Sequence, residues 1–140
     1  MRPAPSRKVA RRRPDAGVAL IEAAFILPLL LLLAMGMLDF GRAFHAKHVL
    51  DEAAREGCRV AVVTSPDPDI VDARVNSVLS AAGLAATSVD VAGPDAARMV
   101  TVTVHSTFTF VTPGIFSLFN KSFGNTLAMT GQSTMRFESP

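Results

Sequence analysis

The run from Val18 to Leu38, VALIEAAFILPLLLLLAMGML, constrains this chain more than any other feature. Only Glu22, Pro28 and Gly36 interrupt it. As a helix, these 21 residues cover about 31 Å, the hydrocarbon thickness of a bilayer. The run therefore reads as a transmembrane helix. Its one carboxylate needs an explanation, because an ionised acid in the middle of a span costs about 2.5–3.5 kcal/mol on the insertion scale. Either Glu22, near one end of the run, snorkels to the interface or stays protonated, or something pairs with it.

Charge is distributed to match. Residues Met1–Ala16 hold six Lys and Arg against one acid, Asp15, so this stretch is +5 and the remainder is −3 in a chain of +2. A short basic flank beside a span keeps the N-terminus in the cytoplasm and the rest of the chain outside. The run RKVARRR also fits nucleic-acid binding, but a span begins five residues after it, and no nucleic-acid partner is expected. The apolar run exceeds the ~7–15 residues of a secretory h-region, and no A-x-A site follows it before LDFGR. A twin-arginine signal fits poorly as well, since Pro14, Asp15 and Ala16 follow the arginines. Trp and Tyr are absent, so Phe40 and Phe44 are the nearest substitutes for an interfacial aromatic belt. With Cys58 alone, no intrachain disulfide supports the fold.

Beyond the span the helical period persists. Phe40, Phe44, Val49/Leu50, Ala53/Ala54, Gly57/Cys58 and Ala61 recur at spacings of three and four, opposite Arg42, Lys47, Asp51, Arg55 and Arg59. One helix from about Val18 to Val63 is predicted, ended by TSPDPD (Thr64–Asp69). A second helix follows through Ile70/Val71, Val75, Val78/Leu79 and Ala82, with Ser65 or Asp69 as its N-cap and Gly83 closing it. The period then changes to two. TSVDVAGP is a short strand. In RMVTVTVHSTFTFVTP, Val100, Val102, Val104, Phe108 and Phe110 alternate with Thr101, Thr103, His105, Thr107 and Thr109. TLAMTGQSTMRFE is another strand, with Leu127, Met129, Met135 and Phe137 on one face. The expected fold class is α+β: a long N-terminal transmembrane helix that continues outside the membrane, a second helix and a small antiparallel sheet. The expected parts are a basic leader (1–17), the span (18–38), an extracytoplasmic continuation of the helix (39–63) and a small extracytoplasmic domain (64–140).

Signs of chemistry are few. His45 and His48 lie one turn before Asp51 and Glu52, but no H-E-x-x-H-like spacing is present, and a solvated helix face has the same composition. His105 sits among threonines on the polar side of a strand. Cys58, beside Arg59, occupies an apolar helical face and reads as a small packing residue. No phosphate loop, dinucleotide fingerprint or G-x-S-x-G elbow occurs. Catalysis, a cofactor, a metal and a small-molecule substrate are therefore not expected.

Glu22 belongs to a larger pattern: a basic leader, Gly17, the start VALI, and an acid five residues after the glycine. In this the chain resembles the type IV pilin-like superfamily. More closely, GVALIEAAFILPLLLLLAMGMLDFGRAF followed by LDEAAREGCRVAVV resembles the TadE-like family of Tad (tight adherence) pilus assembly proteins. The resemblance spans about residues 17–63, with Pro28 at the family proline and Ala53–Arg59 at a downstream AAREGAR-like motif. It implies cleavage after Gly17 by a prepilin peptidase, with Val18 as the new N-terminus and Glu22 as the fifth residue. Ala23 follows Glu22 where the major pilins of this system carry an aromatic and TadE-like proteins often carry Phe, a departure that weakens a major-pilin reading; the resemblance implies a minor, pseudopilin role. The implied partners are the membrane, the peptidase, other pilin-like subunits and the Tad machinery. The implied place is the inner (cytoplasmic) membrane.

Cleavage at Gly17 would free an α-amino group of ordinary pKa about 7.7–8.0. In a bundle of such helices that amine and a neighbour's Glu22 can meet in a low-dielectric core. Breaking a buried pair of this kind costs about 3–5 kcal/mol, because the remaining charge is stranded. Phe116, Phe119 and Phe123, in a stretch of weak periodicity, suggest a further partner surface. Two readings compete with this one: an uncleaved bitopic anchor holding an envelope-binding domain, and a membrane-linked metal or redox protein using His45, His48 or Cys58.

Overall fold

The structure, a computed structural model, describes residues 15–64, 67–112 and 125–137. The chain divides into two units, Met1–Ala34 and Met35–Pro140. One helix, α1 (Asp15–Thr64), runs through the boundary with Pro28 inside it. Leu and Ala dominate its first half and are strong helix formers. A membrane helix tolerates the hydrogen bond lost at Pro28. Thr64 is its last residue, just before the two prolines of TSPDPD. In the first unit the bulky side chains of α1 all face outward, Phe25 at 78% exposure among them.

The second unit has a core of its own. Helix α2 (Pro68–Ala81) is capped by Asp67, whose carboxylate accepts the N–H of Asp69 at 3.0 Å. The cap expected from the sequence was Ser65 or Asp69. Pro68 decides otherwise, because its fixed φ and missing N–H suit the first helical position and leave Asp67 just outside. At the other end Gly83 adopts φ +69°. The N–H of Leu84 reaches the Leu79 carbonyl at 2.9 Å and that of Gly83 reaches Ser80 at 3.0 Å, which together make a Schellman motif.

Strands β1 (Ser88–Ala92), β2 (Met99–Thr109) and β3 (Thr126–Arg136) form an antiparallel sheet in the order β1-β2-β3. The register sets Val91 opposite Val102, Val104 opposite Gly131 and Phe108 opposite Leu127. The α+β architecture expected from periodicity is the one observed, and the apolar face of β2 lies inward: Val100, Val102, Val104 and Phe108 are buried.

Leu50, Ala53, Ala54, Cys58 and Ala61 of α1 pack with Val71, Val75 and Leu79 of α2 and with the valines of β2. Each fully buried Val or Leu here contributes about 1.5–3 kcal/mol. Two glycines let backbones approach closely. A Cβ on Gly57 would come within 2.8 Å of Val75 Cγ2, and one on Gly131 would overlap the Leu50 carbonyl. A smaller cluster of Ala43, Ala46 and Phe108 extends this core toward Asp39. Phe40 and Phe44, expected on the inward face of α1, are exposed instead. The small residues Ala43 and Ala46 take the inward positions beside Phe108, and the phenylalanines fall to the flank.

Candidate functional site

The N-terminal turns of α1 present the residues expected to be processed. Nothing stands within 4 Å of a Cβ built on Gly17, and Val18 is exposed. Helical spacing puts Glu22 on one face with Ala19, Ala23, Ile26 and Leu30, an apolar strip with a single carboxylate. Among the described residues Glu22 has no ion pair. Among them also, one helix is long and apolar enough to cross a membrane, and its most apolar stretch is fully exposed. Bare apolar surface on this scale calls for lipid or for other apolar helices around it.

In the second unit the Ala53–Arg59 stretch is divided by helical geometry. Ala53, Ala54, Gly57 and Cys58 point into the core, while Arg55, Glu56 and Arg59 point away from it. Arg55 pairs with Glu52 at 2.9 Å, and Glu56 accepts Arg74 of α2 at 2.8 Å. The Arg74 hydrogen bond draws the Glu56 carboxyl below its usual range. The motif thus binds α1 to α2 on one side and to the sheet on the other. The Cys58 thiol is fully buried and donates to the Ser133 carbonyl at 3.0 Å. Its surroundings are those of a packing residue.

Asp39 was not singled out by sequence. It is buried, accepts the backbone N–H groups of Thr112 at 2.7 Å and Val111 at 2.9 Å, and receives Arg42 at 3.0 Å. The Thr112 N–H, with that of Val111 and the Arg42 guanidinium, lowers its pKa from 3.8 to about 2. Asp39 therefore ties the chain that leaves β2 to the helix. The sequence signal was slight: an acid right after the apolar run, three residues before an arginine.

His45, His48, Asp51 and Glu52 share one stretch of surface with Arg55. Asp51 is engaged by Lys47 at 2.5 Å and Glu52 by Arg55. Among the described residues no three His, Cys, Asp or Glu gather in a metal-holding group. His105 contacts Thr130 Oγ1 at 3.1 Å and Asp90 at 3.3 Å on the polar side of the sheet. Phe116, Phe119 and Phe123 lie outside the described residues.

A family model described as TadE-like protein matches residues 17–59. Residues 17–59 are therefore similar to TadE-like proteins. The match opens at Gly17, takes in Glu22 and Pro28, and closes at Arg59, the end of the motif that locks α1 into the core. No curated protein and no solved structure matches the chain.

Proposed function

We propose that this chain is a membrane-anchored TadE-like pseudopilin, a minor pilin-like subunit of Tad-type pilus biogenesis or secretion. A prepilin peptidase removes the basic leader after Gly17, and Val18 becomes the N-terminus. Glu22 then pairs with the N-terminal amine of a neighbouring pilin-like subunit. The basic leader keeps the N-terminus cytoplasmic until it is cut, and residues 39–140 lie outside the inner membrane. Phe116, Phe119 and Phe123 are proposed to add to the subunit contact.

One observation carries this reading. The TadE-like match begins at Gly17, and five residues later a lone carboxylate stands on a bare apolar helix with no cation beside it among the described residues. A charge in that setting is tolerated best when a partner brings the opposite one. Removing the leader also takes away the positive charges that resist extraction from the membrane.

The test is co-isolation of the chain with its pilin-like partners from native membranes. Glu22→Ala should leave expression and membrane insertion unchanged while abolishing co-isolation. Normal co-isolation of Glu22→Ala would refute the pairing role. The independent core of the second unit also suits an uncleaved anchored envelope domain, and retention of residues 1–17 in the mature protein would establish that alternative.

A further inference from the structure

The sheet of the second unit ends in two unlike edges. In an antiparallel ladder successive residues turn their N–H and C=O groups to opposite sides. On β2 the His105 carbonyl accepts the N–H of Thr87, just ahead of β1, whereas the N–H of Phe110 donates to Asn125, just ahead of β3. With the observed register, alternate residues of β3 from Leu127 to Met135 therefore bond to β2. Those between them, from Thr126 to Arg136, turn their backbone groups away from the sheet. Among the described residues one of these outward groups is engaged: the Thr130 carbonyl accepts Lys47 Nζ at 2.7 Å. Strand β1, five residues long with Asp90 at its centre, is a guarded edge. Strand β3 runs for 11 residues and holds neither a charge nor a proline from Thr126 to Met135.

Helix α1 overhangs this edge. Lys47 reaches it, and Phe40 and Phe44 precede Lys47 at helical spacing on the same side of α1. The two phenylalanines are 66% and 64% exposed and form one wall of an open groove. The other wall is the inward side of β3, at Leu127 and Met129. A fourth strand bonded to β3 would stand about 4.8 Å beyond it and send every second side chain into this groove. Phe40 and Phe44 are thus exposed where the helix extends past the last strand. The unpaired backbone row and the apolar wall call for the same object.

We propose that the outer edge of β3 receives an extended segment of a partner protein, with apolar side chains at alternate positions, as a fourth strand. The occupant follows from the chemistry of the edge. A row of backbone donors and acceptors is matched by another extended backbone, and not by a helix, whose own backbone groups are paired internally. A second copy fits poorly. Strand β3 rises in the same direction as α1, from the level of Asp39 to that of Cys58. Antiparallel pairing with the β3 of a second copy would therefore point the two α1 helices in opposite directions, which anchoring in one membrane does not allow. The inference is independent of leader cleavage and of the pairing at Glu22.

The test uses the full chain in detergent and a synthetic peptide of alternating valine and threonine with a lysine at each end. Residue-resolved amide hydrogen exchange of the free chain should alternate along β3, slow at Met129, Gly131 and Ser133 and fast at Ala128, Gln132 and Thr134. The peptide should slow exchange at Ala128 and Gln132 and leave Val89 and Val91, on the free edge of β1, fast. Two N-methylated peptides separate strand addition from mere apolar contact, because the valine and threonine nitrogens lie on opposite edges of an extended strand. One methylated form should bind like the parent peptide, and the other about tenfold more weakly or worse. Phe44→Ser, a change at an exposed side chain, should weaken the peptide about tenfold without altering the stability of the free chain. Slow exchange at Ala128 and Gln132 in the free chain would overturn the proposal, because its own chain or a second copy would then occupy the edge. Equal binding of the two methylated forms would also overturn it, as would protection at Val89 and Val91 in place of β3.

Discussion

Glu22 and Asp39 are carboxylates at the two ends of the same apolar run, and their surroundings give them opposite tasks. Asp39 is satisfied within the chain by two backbone N–H groups and Arg42. Glu22 has no ion pair among the described residues. Because the Asp39 pKa falls from 3.8 to about 2 on folding, its stabilising effect is complete above about pH 4 and fades as pH falls toward 2. Acid titration followed by circular dichroism should therefore show Asp39→Asn less stable than the parent at neutral pH. The difference between the two should shrink as pH falls through that window. A constant difference at all pH values would contradict the assignment. Gly131 offers a test by volume. A methyl group there meets the Leu50 carbonyl, so Gly131→Ala should lose about 1–3 kcal/mol in urea unfolding of the detergent-solubilised chain. Stability equal to the parent would show that α1 lies farther from β3 than described. Neither residue could be assigned from sequence, since their partners are long-range: Asp39 meets Val111 72 positions later.

At the scale of elements, periodicity read the sequence well. The long helix, the second helix and the alternating strand at Val100–Phe108 follow directly from spacings of three and four, or of two. Spacing cannot say which of two adjacent apolar flanks turns inward. Phe40 and Phe44 fit the predicted face, yet Ala43 and Ala46 fill it, because the contact with Phe108 accommodates small side chains. Capping was legible in kind but not in position. The run of Ser65, Asp67 and Asp69 offered several caps, and Pro68 selected Asp67. Asp67→Ala should accordingly cost about 0.5–2 kcal/mol in thermal unfolding, while Ser65→Ala should change little. Equal losses from both would contradict the observed cap.

For the whole molecule, α1 runs from an apolar, outward-facing stretch into a unit with its own core. The AAREGCR stretch belongs to the joining element, since its inward side builds that core while its charged side pairs with α2. The motif is thus accounted for by packing alone, whereas Gly17 and Glu22 have no structural task within the described chain. That contrast is why the N-terminal turns, rather than the conspicuous His and Cys residues, are proposed as the functional end. The measurement that tests this most directly is the intact mass of the protein extracted from its native membrane. The account predicts a species that begins at Val18, lacking residues 1–17 and their basic charge. A species that still begins at Met1 would contradict it and leave Glu22 as an acid at the membrane edge.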